Sequence, residues 1–274
     1  MRTIKALLLL ALLLTATGCK RITAIFSGGR AGSEKLICHI DSETVIGQPV
    51  SSPDSRRVAY VAKDGAKRHV VVDGKEEKAY DFIDVTSLAF SPDSHRVAYV
   101  ASIGGKQIVV VDGNEGKPYD DAQALLYSPD SRRMAYAAKV GEKWFVVVDG
   151  NPEKPYDIIA EPSMTFSPDS SHIAYLARGG DQWVAVVDGV AGKTYDDAQG
   201  LIFSPDSRHT AYVAGAEAKQ FVVVDSKEGK QYDGLVKGTT CTFDSSGKLH
   251  YLAKKNTSSD GKSYDIVFVE ETIQ

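Results

Sequence analysis

Three aspartates, Asp84, Asp121 and Asp197, each stand seven residues ahead of a recurring Ser-Pro-Asp-Ser phrase. At the matching place in a fourth copy stands Ala160, with Glu161 directly after it, and in a degraded final copy stands Lys237. Gln123 and Gln199 follow closely in two matching Asp-Asp-Ala-Gln segments. Carboxylates gathered around one opening could hold a cation such as Ca²⁺, which takes six to eight oxygen ligands. They could equally draw a basic segment of a partner. The plainer reading is that they solvate a loop or accept backbone N–H groups in turns. Trp144 and Trp183 open corresponding runs in neighbouring copies and read either as a partner-contacting pair or as edge packing. His95, His172 and His209 fall beside the turn in different copies, which spreads them apart rather than gathering them as ligands. The Asp of each Val-Asp-Gly, such as Asp73 and Asp112, recurs too regularly to mark one site and reads as turn chemistry. No catalytic residue and no cofactor follow from these residues, and Asp84, Asp121 and Asp197 are the candidate metal ligands.

The elements that position these residues come from a repeat. Ser-Pro-Asp-Ser opens at Ser52, Ser91, Ser128, Ser167 and Ser204, with spacings of 39, 37, 39 and 37, and a sixth copy starts near Asp244. A period near 40 made of short apolar runs signals repetition of one supersecondary unit. In the second copy Ser87 to Phe90 is one run and the Pro-containing phrase makes a turn. Arg96 to Ala101 alternates, Gly104-Gly105 breaks the chain, and Gln107 to Val111 is a β-branched run. Asp112-Gly113 turns again before a short polar run, Lys117 to Asp120. Four antiparallel strands per copy, without helical periodicity, make one blade of an all-β propeller. Phe90, Tyr127, Phe166, Phe203 and Phe243 precede the turns, and Tyr60, Tyr99, Tyr136, Tyr175, Tyr212 and Tyr251 recur in the second strands. Their recurrence in every copy predicts cores between blades.

Five full copies supply twenty strands, and 239–243, 248–253 and 264–270 supply three more. Lys35 to Asp41 is the predicted missing strand, because Ile40-Asp41 falls where Tyr-Asp falls in each copy. The expectation is a six-bladed propeller over residues 35–270 whose last blade is closed by the N-terminal strand, leaving no exposed edge. In that register Cys38 and Cys241 lie on opposite sides of one blade, too far apart for a disulfide.

Residues 1–18 read as a signal peptide: Arg2 and Lys5, then an apolar stretch from Ala6 to Leu14 too short to span a bilayer. Ala16-Thr17-Gly18-Cys19 resembles the lipobox of bacterial lipoproteins, departing at Ala16 where Leu is commoner. The resemblance implies acylation of Cys19, with residues 19–34 as lipidated Cys and flexible tether. It places the chain in the bacterial envelope, lipid-anchored and facing the periplasm, with the outer membrane preferred since Lys20 follows the cysteine. Loss of Arg2 and Lys5 with the signal would lower the formal net charge from −4 by two, and an acidic chain is a poor nucleic-acid binder.

The run Phe-Ser-Pro-Asp-Ser, a basic residue, Ala-Tyr-Val, then Val-Val-Val-Asp-Gly resembles the TolB-type, WD40-like (PD40) propeller repeat, over residues 35–270. Ser stands where that family usually has Gly after Pro-Asp, and the N-terminal α/β domain of TolB-like proteins is not in this sequence. No G-x-S-x-G elbow of the related peptidases is present. The resemblance implies a monomeric, TolB-like scaffolding or protein-interaction module for envelope partners, not an enzyme. The alternative is a small-ligand or metal-dependent hydrolase of the lactonase kind with an acidic channel mouth.

Overall fold

The computed structural model describes residues 22–25, 32–258 and 263–273. The signal peptide and Cys19 lie outside the described residues. Every described element is a strand or a turn, and the strands form six antiparallel sheets in chain order, with one further short pair, Ile22–Ile25 with Gly32–Lys35, inside the segment read as a tether. The predicted six-bladed, all-β architecture is the one observed.

Blade two shows the plan: Phe82–Phe90, Val97–Ile103, Lys106–Val111 and Asn114–Glu115, each hydrogen-bonded to the next. The fourth strand is brief because its chain leaves the ladder after two residues and returns only at Tyr119, which bridges Gln107. Asp112 (φ 50°) and Gly113 (φ 75°) form the two-residue hairpin turn between the third and fourth strands. Two successive positive φ values give the twist that an antiparallel pair needs, and Asp-Gly adopts them at low cost.

Two residues separate the long copies from the short ones, and they are absorbed in the first strand. In blade two Asp84 pairs with Val100 and Ala89 with Ala98, so Val85 to Leu88 bulge opposite Tyr99. In blade three Gln123 pairs with Ala137 and Leu126 with Ala135, so only Ala124 and Leu125 bulge. Blade five repeats the short form with Gly200 and Leu201. The longer bulges of blades two and four are closed by a serine. Ser87 Oγ donates to the Asp84 carbonyl (2.6 Å) and accepts the Val100 N–H (2.8 Å), and Ser163 does the same with Ala160 and Leu176.

Five apolar cores join consecutive blades. In each, a second-strand tyrosine meets the fourth-strand tyrosine of the blade before it, edge to face. Tyr80–Tyr99, Tyr119–Tyr136, Tyr156–Tyr175, Tyr195–Tyr212 and Tyr232–Tyr251 have centroids 6.1 to 6.3 Å apart. Such pairs contribute ~0.5–1.5 kcal/mol beyond area burial. Burial and the hydrogen bond to Glu77 push the Tyr99 hydroxyl far above the usual phenol range.

The predicted closure of the last blade is corrected. Lys35 ends the strand paired with Ile22–Ile25, and 36–41 joins no ladder. Cys38 and Ile40 lie instead on blade one, against Tyr60, Ala62 and Val71, where Ile40 does for Tyr60 what Tyr80 does for Tyr99. Blade six has the first strand broken into Gly234–Leu235 and Thr242–Ser245, the second strand Lys248–Asn256, and the third strand Tyr264–Thr272. Among the described residues Tyr264–Thr272 pairs with Lys248–Asn256 alone, and no apolar core joins blade six to blade one. A closing strand would bring Asp41 beside Asp265, where four other blades set a lysine beside the matching aspartate. Cys38 and Cys241 are therefore on different blades, Cys38 against Gly74 and Cys241 inside the core between blades five and six. Burial pushes the Cys241 thiol up to about 12.

Candidate functional site

The turn face is a belt whose polar groups bind one another. The first serine of each phrase is buried. Its hydroxyl donates to the carboxylate two residues on, at 2.5 to 2.6 Å, in Ser52–Asp54, Ser91–Asp93, Ser128–Asp130, Ser167–Asp169 and Ser204–Asp206. The serine hydroxyl, followed by the N–H of Ser171, holds the Asp169 carboxyl down at about 2, and the other four are lowered with the serine as first cause. The second serine has positive φ, from 58° at Ser55 to 68° at Ser94. Glycine would adopt that backbone more easily, yet the hydroxyl has a task. Ser94, Ser131, Ser170 and Ser207 accept the N–H of Asp54, Asp93, Asp130 and Asp169 in the blade before them, at 2.9 to 3.0 Å.

A basic side chain completes each joint. Arg57, Arg96 and Arg133 pair with Asp73, Asp112 and Asp149, donate to turn carbonyls of the next blade, and lie over Phe90, Tyr127 and Phe166. In blades four and five His172 and His209 take that place, 2.6 and 2.5 Å from Asp188 and Asp225. The belt thus couples blades through these residues, while Arg56, His95, Arg132 and Arg208 of the same turns stay largely exposed.

The opposite end holds the residues singled out from sequence, and it does not bring the aspartates together. The Asp84 carboxylate accepts from the N–H and hydroxyl of Thr86 (2.9 and 2.7 Å), capping its own bulge. Asp121 accepts the N–H of Ala122 at 2.9 Å. Asp197 is exposed at the start of Asp197–Phe203. Among the described residues no three His, Cys, Asp or Glu side chains are placed to hold a metal ion. Gln199 lines a cavity of about 440 Å³ with Gln220 and Lys237, and Glu161 lines another of about 190 Å³ with Leu125 and Pro162. Gln123 is half-buried on the short first strand of blade three. Trp144 and Trp183 are half-buried in different cores, each under a cation, Lys139 and Arg178, so they form no pair.

The site that residue chemistry missed is blade six. Its third strand presents Tyr264, Ile266 and Phe268 at 52, 50 and 63% exposure, beside Leu252 on the second strand. His250 tilts against Phe268 and Lys254 lies 4.3 Å from the Tyr264 ring. Phe268 occupies the register place of Val109, which is buried in the core between blades two and three. The signal was in the sequence. The other third strands read Val-Val-Val-Asp or nearly so, whereas this one reads Ile-Val-Phe-Val-Glu.

No family model matches the chain, and no curated protein matches it. Among solved structures it is similar to TolB from Acinetobacter baumannii, at 16% identity over 73% of this chain and 57% of that chain, with a TM-score of 0.36. It is similar to the β-propeller domain of the Trilobed protease from Pyrococcus furiosus, at 12% identity over 82% and 81% of the two chains, TM-score 0.42. It is also similar to an acylaminoacyl peptidase of Pyrococcus horikoshii, at 12% identity over 84% of this chain and 46% of that one, TM-score 0.37. The chain thus spans 57% of the length of the TolB chain it matches.

Proposed function

We propose that the chain is a protein-interaction propeller of the bacterial envelope, anchored through a lipidated Cys19, whose partner docks on blade six. The observation that carries this reading is the exposed row of Leu252, Tyr264, Ile266 and Phe268 at a strand whose outer edge is unpaired among the described residues. An exposed sheet edge with apolar side chains is an adhesive surface that proteins cover, charge or use. Lys254 and Asp265 flank the row near Tyr264, and Lys248 and Glu270 pair with each other at its far end. Added strands draw affinity from main-chain bonds and selectivity from alternate side chains.

Mild crosslinking in the native membrane, purification and mass spectrometry test the reading. A partner recovered with the wild-type chain and lost with Phe268→Asp supports it, and a partner indifferent to that change contradicts it. Metal analysis of the same sample addresses the hydrolase alternative. A stoichiometric divalent ion, lost on Asp84→Asn or Asp121→Asn, would reverse the ranking.

A further inference from the structure

The molecule displays, blade by blade, what lies along a third strand. In blades one, two, three and five a tyrosine bridges its second residue: Tyr80 to Arg68, Tyr119 to Gln107, Tyr156 to Trp144 and Tyr232 to Gln220. Blade four pairs Tyr195 with Trp183 inside a longer ladder. The residue after each of these tyrosines is aspartate. In four blades that aspartate is clipped to the lysine that opens the third strand: Lys67 to Asp81 at 2.9 Å, Lys219 to Asp233 at 2.5 Å, and likewise Lys106 to Asp120 and Lys143 to Asp157. The same aspartates accept an N–H from the adjacent hairpin, at Gly104, Gly141, Gly180 and Asn256.

Blade six keeps the frame and reverses the charge. Aligned through Tyr251–Val269 and Tyr99–Val110, its third strand sets Ile266 at the bridging place and Asp265 at the lysine place. Asp265 is exposed, and Lys255, its register partner on the second strand, makes no ion pair with it among the described residues. From this, and resting on the interaction reading above, we propose the chemistry of the occupant. It is an extended segment of a different protein, bearing an apolar residue over Ile266 and, directly after it, a lysine or arginine against Asp265. A second copy of this chain is a poor occupant, because all five of its fourth strands carry Tyr-Asp. The chain's own 36–41 would set Asp41 against Asp265, and it joins no ladder in the structure.

The test uses two peptides and the full chain in detergent. One peptide copies residues 75–82, Lys-Glu-Glu-Lys-Ala-Tyr-Asp-Phe, and the other carries Asp81→Lys. Fluorescence anisotropy should show the lysine peptide binding wild type about three- to ten-fold tighter, the scale of an exposed ion pair replacing a like-charge contact. Asp265→Lys should reverse the order, and Asp265→Asn should abolish the preference. Preference of wild type for the aspartate peptide would overturn the proposal in favour of self-closure or self-association. An order unchanged by Asp265→Lys, or no binding of either peptide, would also overturn it. Should a native partner still depend on Phe268 in those cases, the interaction reading stands and only the charge rule falls. Without any Phe268-dependent partner, both fall.

Discussion

Val109 and Phe268 hold the same place in the blade, yet one is buried between sheets and the other faces solvent. The contrast extends along both strands. Blades one, two, three and five open their third strands with lysine and cover them with a fourth strand, whereas blade six has Asp265 at the lysine place and, among the described residues, no fourth strand. Its second strand turns His250 and Leu252 outward where blade two turns Ala98 and Val100 into a core. The same backbone plan is therefore spent on cohesion five times and on presentation once. Repetition marks what holds the array together, and departure from it marks what faces elsewhere.

A set of substitutions and one titration would break or sharpen that contrast. The largest effect is expected at Tyr99→Ala, which removes a fully buried ring, its edge-to-face partner Tyr80 and the hydrogen bond to Glu77. Large-to-small core changes of this kind cost ~3–5 kcal/mol, and a thermal or denaturant melt would read it. An unchanged melt would contradict the blade register. Arg133→Ala comes next. It loses the pair with Asp149, bonds to the Ser170 and Ser171 carbonyls, and the contact over Phe166. About 1–3 kcal/mol is expected by denaturant titration, and more than for Lys248→Ala in blade six, whose exposed side chain pairs with Glu270. Equal costs would remove the distinction between belt and free blade.

Ser131→Ala should cost about 1–2 kcal/mol, since it deprives the Asp93 N–H of its acceptor and puts alanine at φ 66°. Ser131→Gly keeps the strain low and should cost less, so the reverse order would refute the lacing role. Acid should loosen the same belt. The carboxyls of Asp54, Asp93, Asp130, Asp169 and Asp206 lie below their ordinary 3.8 in the folded chain. Their contribution is complete above that value and is lost as pH falls through the folded ones, about 2 for Asp169. Melting temperature should thus be insensitive to these groups near pH 7 and decline below about pH 4, less steeply in Asp169→Asn. Smallest of all, Phe268→Ala should leave stability within ~0.5 kcal/mol while weakening partner capture. A multi-kcal loss would show Phe268 to be core after all.

Much of the architecture was legible because each copy repeats the same commitments. The Ser-Pro-Asp-Ser turns, the Asp-Gly hairpins, the tyrosine in every second strand and even the alternation of 39 and 37 have direct structural counterparts. The closing strand was misread because Ile40-Asp41 matches the spacing of Tyr-Asp while the complementary charge on blade six is reversed. Spacing alone cannot report that, although Asp265 in a column of lysines could have. The carboxylates Asp84 and Asp121 looked like a shared site because they recur at one register. The structure gives each a local backbone donor instead, and such Asx contacts depend on the bulge geometry rather than on sequence distance. The second serine of the phrase stands where the TolB-type repeat usually has glycine. Its value appears only when the neighbouring blade's N–H is in view.

The central claim is that Tyr264–Thr272 is a free edge that another chain's strand completes. Amide hydrogen exchange on the full chain, with and without the Asp81→Lys peptide, tests it most directly. The account predicts fast exchange at the outward amides of 264–270 in the free chain and slowing there on binding, with the third strands of blades one to five unchanged. Amides of 264–270 already protected without peptide, or protection appearing only in other blades, would contradict it.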